Sequence, residues 1–309
     1  MANFIVATDS GCDLPAEACA ERDIRVLRLE YRFGDEIFLD TMEWADCHAF
    51  YERMRAGAIP KTSQISIGQF VDFWKTLVSE GKPIVHISLG SGVSGTYANG
   101  LQAVKLFHEE YPDIPVYMVD STLCSIGYGI LALRAADLRD EGRTVSECID
   151  WLAAHKAGMN TWYTTDELKY LYQSGRVSRA GLIVATALNI NPILNLDLEG
   201  HLIVQEKCRG RKATVKRIHQ IVEALCPPQY RDQILYICHS DIPEDAHTFG
   251  DDLKETFGFR DVYYTYIGPT IGSHCGPGLM AAFFFGRDRT MEKGGIPKDF
   301  VLKETAAAI

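Results

Sequence analysis

Nothing in this 309-residue sequence commits it to a membrane, to nucleic acid or to a metal. No apolar stretch approaches the roughly 20 residues that a membrane-spanning helix needs. Basic residues are few: 31 Lys and Arg stand against 41 Asp and Glu, a formal net charge of −10. Phosphate backbones require a basic footprint, so a general nucleic-acid binder is excluded. The cysteines number nine, and no two fall in a C-x-x-C spacing, which leaves a zinc site without support. Cys124, Cys148 and Cys238 lie inside apolar segments, as free buried thiols of a reducing compartment do. The opening MANFIVATDS enters a strand-like run without a secretory signal, and the expected location is the cytoplasm. The Walker pattern, H-E-x-x-H and the EF-hand loop are absent. Ser94 misses the G-x-S-x-G nucleophile elbow, because Thr96 stands where the second glycine belongs.

Core material is abundant, with 47% hydrophobic and 23% charged residues, and the length exceeds one average domain. The first half alternates strand-like and helix-like segments: NFIVATDS, PAEACAERD with Asp13 as its expected cap, IRVLRLEYRFG as one strand, and two helices flanking the polar turn PKTSQIS. PIVHISL, TYANGLQAVKLFHEEY, PVYMVDS and IGYGILALRAADLRDEG continue the alternation. The expectation is an α/β domain over residues 1–157, a parallel sheet with helices on both faces. Residues 158–309 read as an α+β domain, with a helix at AGLIVATALN and a hairpin turning at Glu199-Gly200. No long linker separates the halves, so a ligand cleft between them is expected. The tail after Arg289 is weakly patterned and receives no element.

Four turns of the first half are unusually polar: TDSGCD, KTSQIS, GSGVSGT and VDST. In a parallel sheet such turns gather at the carboxyl edge, where ligands bind. The third contains Gly90, Gly92 and Gly95 in a G-x-G-x-x-G pattern between a strand and a helix, as in dinucleotide-binding turns. Asp120 follows at the place of a ribose-binding acid. Ser91, Ser94 and Thr96 equally suit a small anion such as a carboxylate or a single phosphate. Both guests stay open on pattern alone. In the second half His274, within TIGSHCGPG, is a candidate ligand contact, since the surrounding glycines let backbone approach closely. Arg176 and Arg179 in QSGRVSR, and Arg209, Arg211 and Lys212 before a helix, form basic spots on an acidic chain, open to surface or docking roles.

Taken in order, TDSGCDLP, KTSQIS, SGVSGTY, VDST, GRVS, NPIL and GPTIGSHCGPG resemble the DegV family of fatty-acid-binding proteins across nearly the whole chain. The resemblance implies two domains holding one long-chain fatty acid in a tunnel between them, with no cofactor and no chemistry of the protein's own. It implies that Thr62, Ser94 and His274 bind the carboxylate, with Ser63, Gly95 and Thr96 completing the polar pocket by position. It further implies a fatty acid kinase as partner, which phosphorylates the presented carboxylate, with Arg176 and Arg209 as docking residues. Contact with a membrane would be transient, for lipid exchange. The chain departs from the family at Ile65, where proline is usual, and at Gly90-Ser-Gly92-Val93, where S-S-x-L is usual. Chain preference is therefore less fixed than ligand class.

Burying a methylene contributes about 0.8 kcal/mol, so a tail of about 14–18 carbons supplies more than affinity needs. The head group needs only to avoid being buried unpaired. Hydroxyls, backbone N–H groups and a histidine meet that need, and a neutral cradle is expected. GLIVATALNI and VYYTYI would wall the tunnel or form ordinary core. The rival readings are a nucleotide-dependent oxidoreductase, a phosphotransferase using His274, and a lipid-sensing regulator without a kinase.

Overall fold

The computed structural model describes residues 3–177 and 190–289. The expected helix at residues 180–189, Arg179 and the tail beyond Arg289 lie outside the described residues. Four parallel strands, β1 (Ile5–Asp9), β2 (Ile24–Leu27), β6 (Ile84–Ser88) and β7 (Val116–Asp120), form a sheet in the order β2-β1-β6-β7. An antiparallel sheet of order β4-β3-β5 joins β3 (Glu30–Phe33), β4 (Glu36–Leu39) and β5 (Pro60–Thr62). The remaining strands are β8 (Met159–Thr164), β9 (Ile190–Leu196), β10 (Leu202–Arg209), β11 (Ile234–His239), β12 (Asp261–Tyr266) and β13 (Met280–Phe285). They form one mixed sheet, β10-β9-β8-β13-β11-β12, whose only parallel pair is β11 with β12.

Strand alternation divides the core into layers. On one face of the parallel sheet Ile5, Ala7 and Ile84 pack with Phe70, Trp74 and Phe107 of the helices Ile67–Lys75 and Thr96–Glu110. On the other, Val6, Val85 and Ile87 join a cluster containing Leu131 and Ala135 of the helix Ile126–Asp140. The sheet is thus covered on both faces, as its fully buried β1 and β6 require. That second cluster also takes in Leu194, Cys238, Ala281 and Phe283 from the six-stranded sheet, so both halves share a core. The alternate residues Ile193, Ile237, Ala282 and Phe284 pack instead with the helices Arg211–Leu225 and Pro243–Phe257.

Two local expectations fail for tertiary reasons. IRVLRLEYRFG is two strands in two different sheets, β2 and β3. Asp13 does not cap the following helix: Ala16–Glu21 has Pro15 at its N-cap and no side-chain cap. The Asp13 carboxyl group instead accepts from Gly268 N–H and Ser125 Oγ.

Asp9, at the end of β1, is fully buried and accepts from Tyr128 OH at 2.6 Å, Leu89 N–H and Gly11 N–H at 3.2 Å each. Burial outweighs these donors and pushes its carboxyl up to about 6. A raised acid stabilises the fold most when protonated, and that contribution is lost as pH rises through about 6. Urea unfolding between pH 5 and 7.5 is therefore expected to show stability falling with pH, with a shallower slope in Asp9→Asn. An equal slope in the variant would remove Asp9 as the source.

Candidate ligand-binding site

A cavity of about 190 Å³ opens where the two halves meet, lined by residues from Leu29 to Ser125 and from Tyr163 to Leu279. Its walls are mainly apolar, with Leu89, Val93, Leu171, Leu194, Ile271 and Leu279 among them. Thr62, Ser63, Gln64, Ser94, Arg176 and His274 supply polar groups. Thr62 is the last residue of β5, and His274 lies in the last turn of the short helix Pro269–Cys275 rather than in an open turn. Thr62 Oγ1 and His274 Nε2 are 2.8 Å apart. Burial, and secondarily the charge of Arg176, lowers the imidazole to about 4, so it is neutral at physiological pH. Its buried Nδ1 has no hydrogen-bond partner among the described residues.

Ser94 stands just before the helix Thr96–Glu110. Its Oγ accepts the Thr96 N–H at 3.2 Å and donates to Thr96 Oγ1 at 3.0 Å. Arg176 links the two groups: its Nε donates to Val93 O at 3.3 Å and its Nη1 to Ser174 O. The Ser174 hydroxyl in turn donates to His274 O at 3.5 Å. Of the expected site residues, Thr62, Ser63, Ser94 and His274 line the cavity, whereas Gly95 and the fully buried Thr96 stand behind it. Arg176, expected at a docking surface, is half-buried in the cavity lining and is the only charged side chain among the described lining residues. The cradle is therefore not neutral. Arg209 is exposed at the end of β10.

The glycines of the G-x-G-x-x-G turn face protein. A Cβ on Gly90 would lie 2.7 Å from Leu123 N, and one on Gly92 only 2.3 Å from the Gly200 backbone. Gly92 thus meets the β9–β10 hairpin turn, and no room remains for a pyrophosphate against that backbone. Asp120 is also occupied: it accepts the Ser91 N–H at 3.0 Å, the Ser91 hydroxyl at 2.6 Å and the Thr122 N–H at 3.0 Å. These contacts remove the basis of the dinucleotide reading.

Residues not foreseen also line the cavity, including Gln64, Cys124, Ser125, Tyr163 and Cys275. Gln64 and Cys275 lie inside the motifs KTSQIS and GPTIGSHCGPG, whereas Tyr163 lies inside β8, away from any polar turn. The VYYTYI segment contributes Ile267 to the lining, while residues 181–189 of GLIVATALNI are outside the described residues. Away from the cavity, His48, Glu52 and Asp241 bring three potential metal ligands together. The guanidinium of Arg55 already bonds both Glu52 and Asp241, so both carboxylates have a cationic partner within the protein. Among the described residues no helix is long and apolar enough to cross a membrane.

A mainly apolar cavity with a cluster of hydroxyls, a neutral imidazole and one guanidinium has the lining of a site for a small amphipathic molecule. Residues 3–287 match the family described as "Uncharacterised protein, DegV family". A DegV domain-containing protein of Clostridium perfringens is 33% identical over 288 residues, covering 93% of this chain and 98% of its own. The chain belongs to the DegV family. The crystal structure of DegV from Bacillus subtilis, a fatty acid binding protein, is similar at TM-score 0.81 and 27% identity, covering 93% of this chain and 100% of that one. A Thermotoga maritima protein whose structure reveals fatty acid binding function is similar at TM-score 0.79 and 26% identity, with the same coverage.

Proposed function

We propose that this chain is a cytoplasmic carrier that holds one long-chain fatty acid in the cavity and presents its carboxylate to a fatty acid kinase. The observation that carries this reading is the Thr62–His274 pair, with Ser94, in a mainly apolar cavity between the halves. If the imidazole Nε2 bears the proton, the Thr62 hydroxyl accepts from it and keeps its own proton for the carboxylate. Ser94 Oγ and Ser63 add donors, Gly95 and Thr96 hold Ser94 in place, and Arg176 supplies charge. We accordingly move Arg176 from docking to the head group and leave docking with the exposed Arg209, which neighbours the exposed Lys207 and Lys212. The kinase would form the acyl-phosphate; the carrier performs no chemistry. Lipid exchange would need only transient membrane contact. We divide the chain at 157/158, between the residues of the first two sheets and those of the third.

A tail of about 14–18 carbons, at about 0.8 kcal/mol per methylene, accounts for tight retention without help from the head group. Protein purified from a bacterial host is expected to carry such an acid in stoichiometric amount, read by mass spectrometry of an organic extract. An extract without stoichiometric lipid would sink the proposal. The phosphotransferase reading is weakened because His274 is half-buried, neutral and tied to Thr62. A lipid-sensing regulator uses the same cavity, and recovery of a kinase in a pull-down from native cells separates carrier from sensor.

A further inference from the structure

The helix Pro269–Cys275 that carries His274 has no side-chain cap of its own, and seven residues are too few for a helix to persist alone. Its start is held from outside by two acids distant in sequence. Asp13 Oδ1 accepts the Gly268 N–H at 2.9 Å, across 255 residues. Asp40 Oδ2 accepts the Thr270 N–H at 3.3 Å and the Thr270 hydroxyl. Both acids are buried, at 5% and 1% exposure, and neither forms a salt bridge among the described residues. Each is anchored on its own side as well. Asp40 Oδ1 accepts the Met42 N–H at 3.2 Å, and Asp13 Oδ2 accepts the hydroxyl of Ser125, a cavity residue. Asp13 also sits at φ 51°, in the left-handed region, and its carbonyl accepts the Thr265 hydroxyl at 2.8 Å.

An acid buried without a cation is unfavourable unless its oxygens are satisfied. Both acids find their donors at the start of the helix bearing the imidazole. We infer that Asp13 and Asp40 are positioning residues, which clamp the start of the His274 helix so that the imidazole meets Thr62 at hydrogen-bond distance. The consequence for binding rests on the fatty-acid reading; the clamp itself does not.

The test follows the His274 titration by NMR of delipidated, histidine-labelled protein, beside calorimetry of the same protein with palmitic acid, in Asp13→Ala, Asp40→Ala and Asp40→Asn. Wild-type His274 is expected to titrate at about 4. Both alanine variants should move that midpoint up toward the ordinary 6.5 as the imidazole leaves its buried contact, and weaken palmitic acid binding by about tenfold. Asp40→Asn keeps the shape and one acceptor, should give an intermediate shift, and carries the test if the alanine variants do not fold. Ser94→Ala should weaken binding with the His274 midpoint unmoved. Folded variants that keep both the wild-type midpoint and the wild-type affinity would overturn the inference. Delipidated wild-type protein that fails to bind palmitic acid would overturn the fatty-acid reading instead, and the His274 midpoint would then decide the clamp alone.

Discussion

Replacing His274 with alanine is expected to weaken palmitic acid binding by about ten- to hundredfold while the fold persists. One hydrogen bond to a charged group contributes about 1.5–3 kcal/mol, which converts to that range. The loss in this site is indirect. The imidazole bonds Thr62 at 2.8 Å, so its removal frees the threonine hydroxyl to rotate away from the carboxylate. The tail contacts are untouched, which is why the effect stops short of abolishing binding. Ser94→Ala should reach a similar loss by another route. Its hydroxyl also accepts the Thr96 N–H at the start of the helix Thr96–Glu110, so this variant should in addition lose about 1 kcal/mol of stability. Calorimetry with palmitic acid and urea unfolding read the two effects separately. Wild-type affinity in both variants would refute the head-group assignment.

The polar end of this site was largely legible because parallel sheets concentrate function at their carboxyl edges, where hydroxyls and glycines are in excess of what capping requires. Of the expected residues that line the cavity, Ser94 follows from that rule, His274 from its glycine-rich surroundings, and Thr62 and Ser63, at the end of the antiparallel β5, from the family motifs. What the motifs could not reveal was the use of each residue in three dimensions. The glycines at Gly90 and Gly92 matched a nucleotide fingerprint, yet they let Leu123 and Gly200 approach closely. Close approach to a ligand and close approach to another loop leave the same mark in a sequence. Arg176 looked like surface because a basic residue among Ser, Gly and Arg usually is. Its half-burial comes from Val93 and Ser174 carbonyls that no local pattern announces. Asp13 preceded a helix at capping distance, but its partners stand at Ser125 and Gly268. The break between β2 and β3 is likewise invisible locally, since both halves are strand-like and only their neighbours differ. The fold class survives such errors because it depends on alternation, whereas the site depends on contacts between residues far apart in the chain.

Arg289→Ala is expected to destabilise the protein by about 3–5 kcal/mol, the largest loss from any single change considered for this molecule. Arg289 is 4% exposed and its guanidinium joins three separate segments. Nη1 donates to Thr122 O at 3.0 Å and Asp197 O at 2.8 Å; Nη2 donates to Thr122 Oγ1 at 2.9 Å and Lys156 O at 3.3 Å. Thr122 follows β7 of the parallel sheet, Lys156 follows the helix Val145–His155, and Asp197 begins the hairpin turn of the mixed sheet. One side chain therefore ties both halves together beside Gly92 and Gly200, where their backbones touch. Truncation leaves two buried carbonyls and the part-buried Lys156 O without their donor, and each buried one costs about 1–3 kcal/mol before water refills the space. Arg289→Lys should recover little, since a single ammonium cannot present donors in the fork that four acceptors require. Palmitic acid binding, measured under conditions where the variant is folded, should change far less than in His274→Ala, because no atom of Arg289 lines the cavity. Urea unfolding reads the stability and calorimetry the binding. A loss below about 1 kcal/mol would show that the two halves are held by their shared core alone.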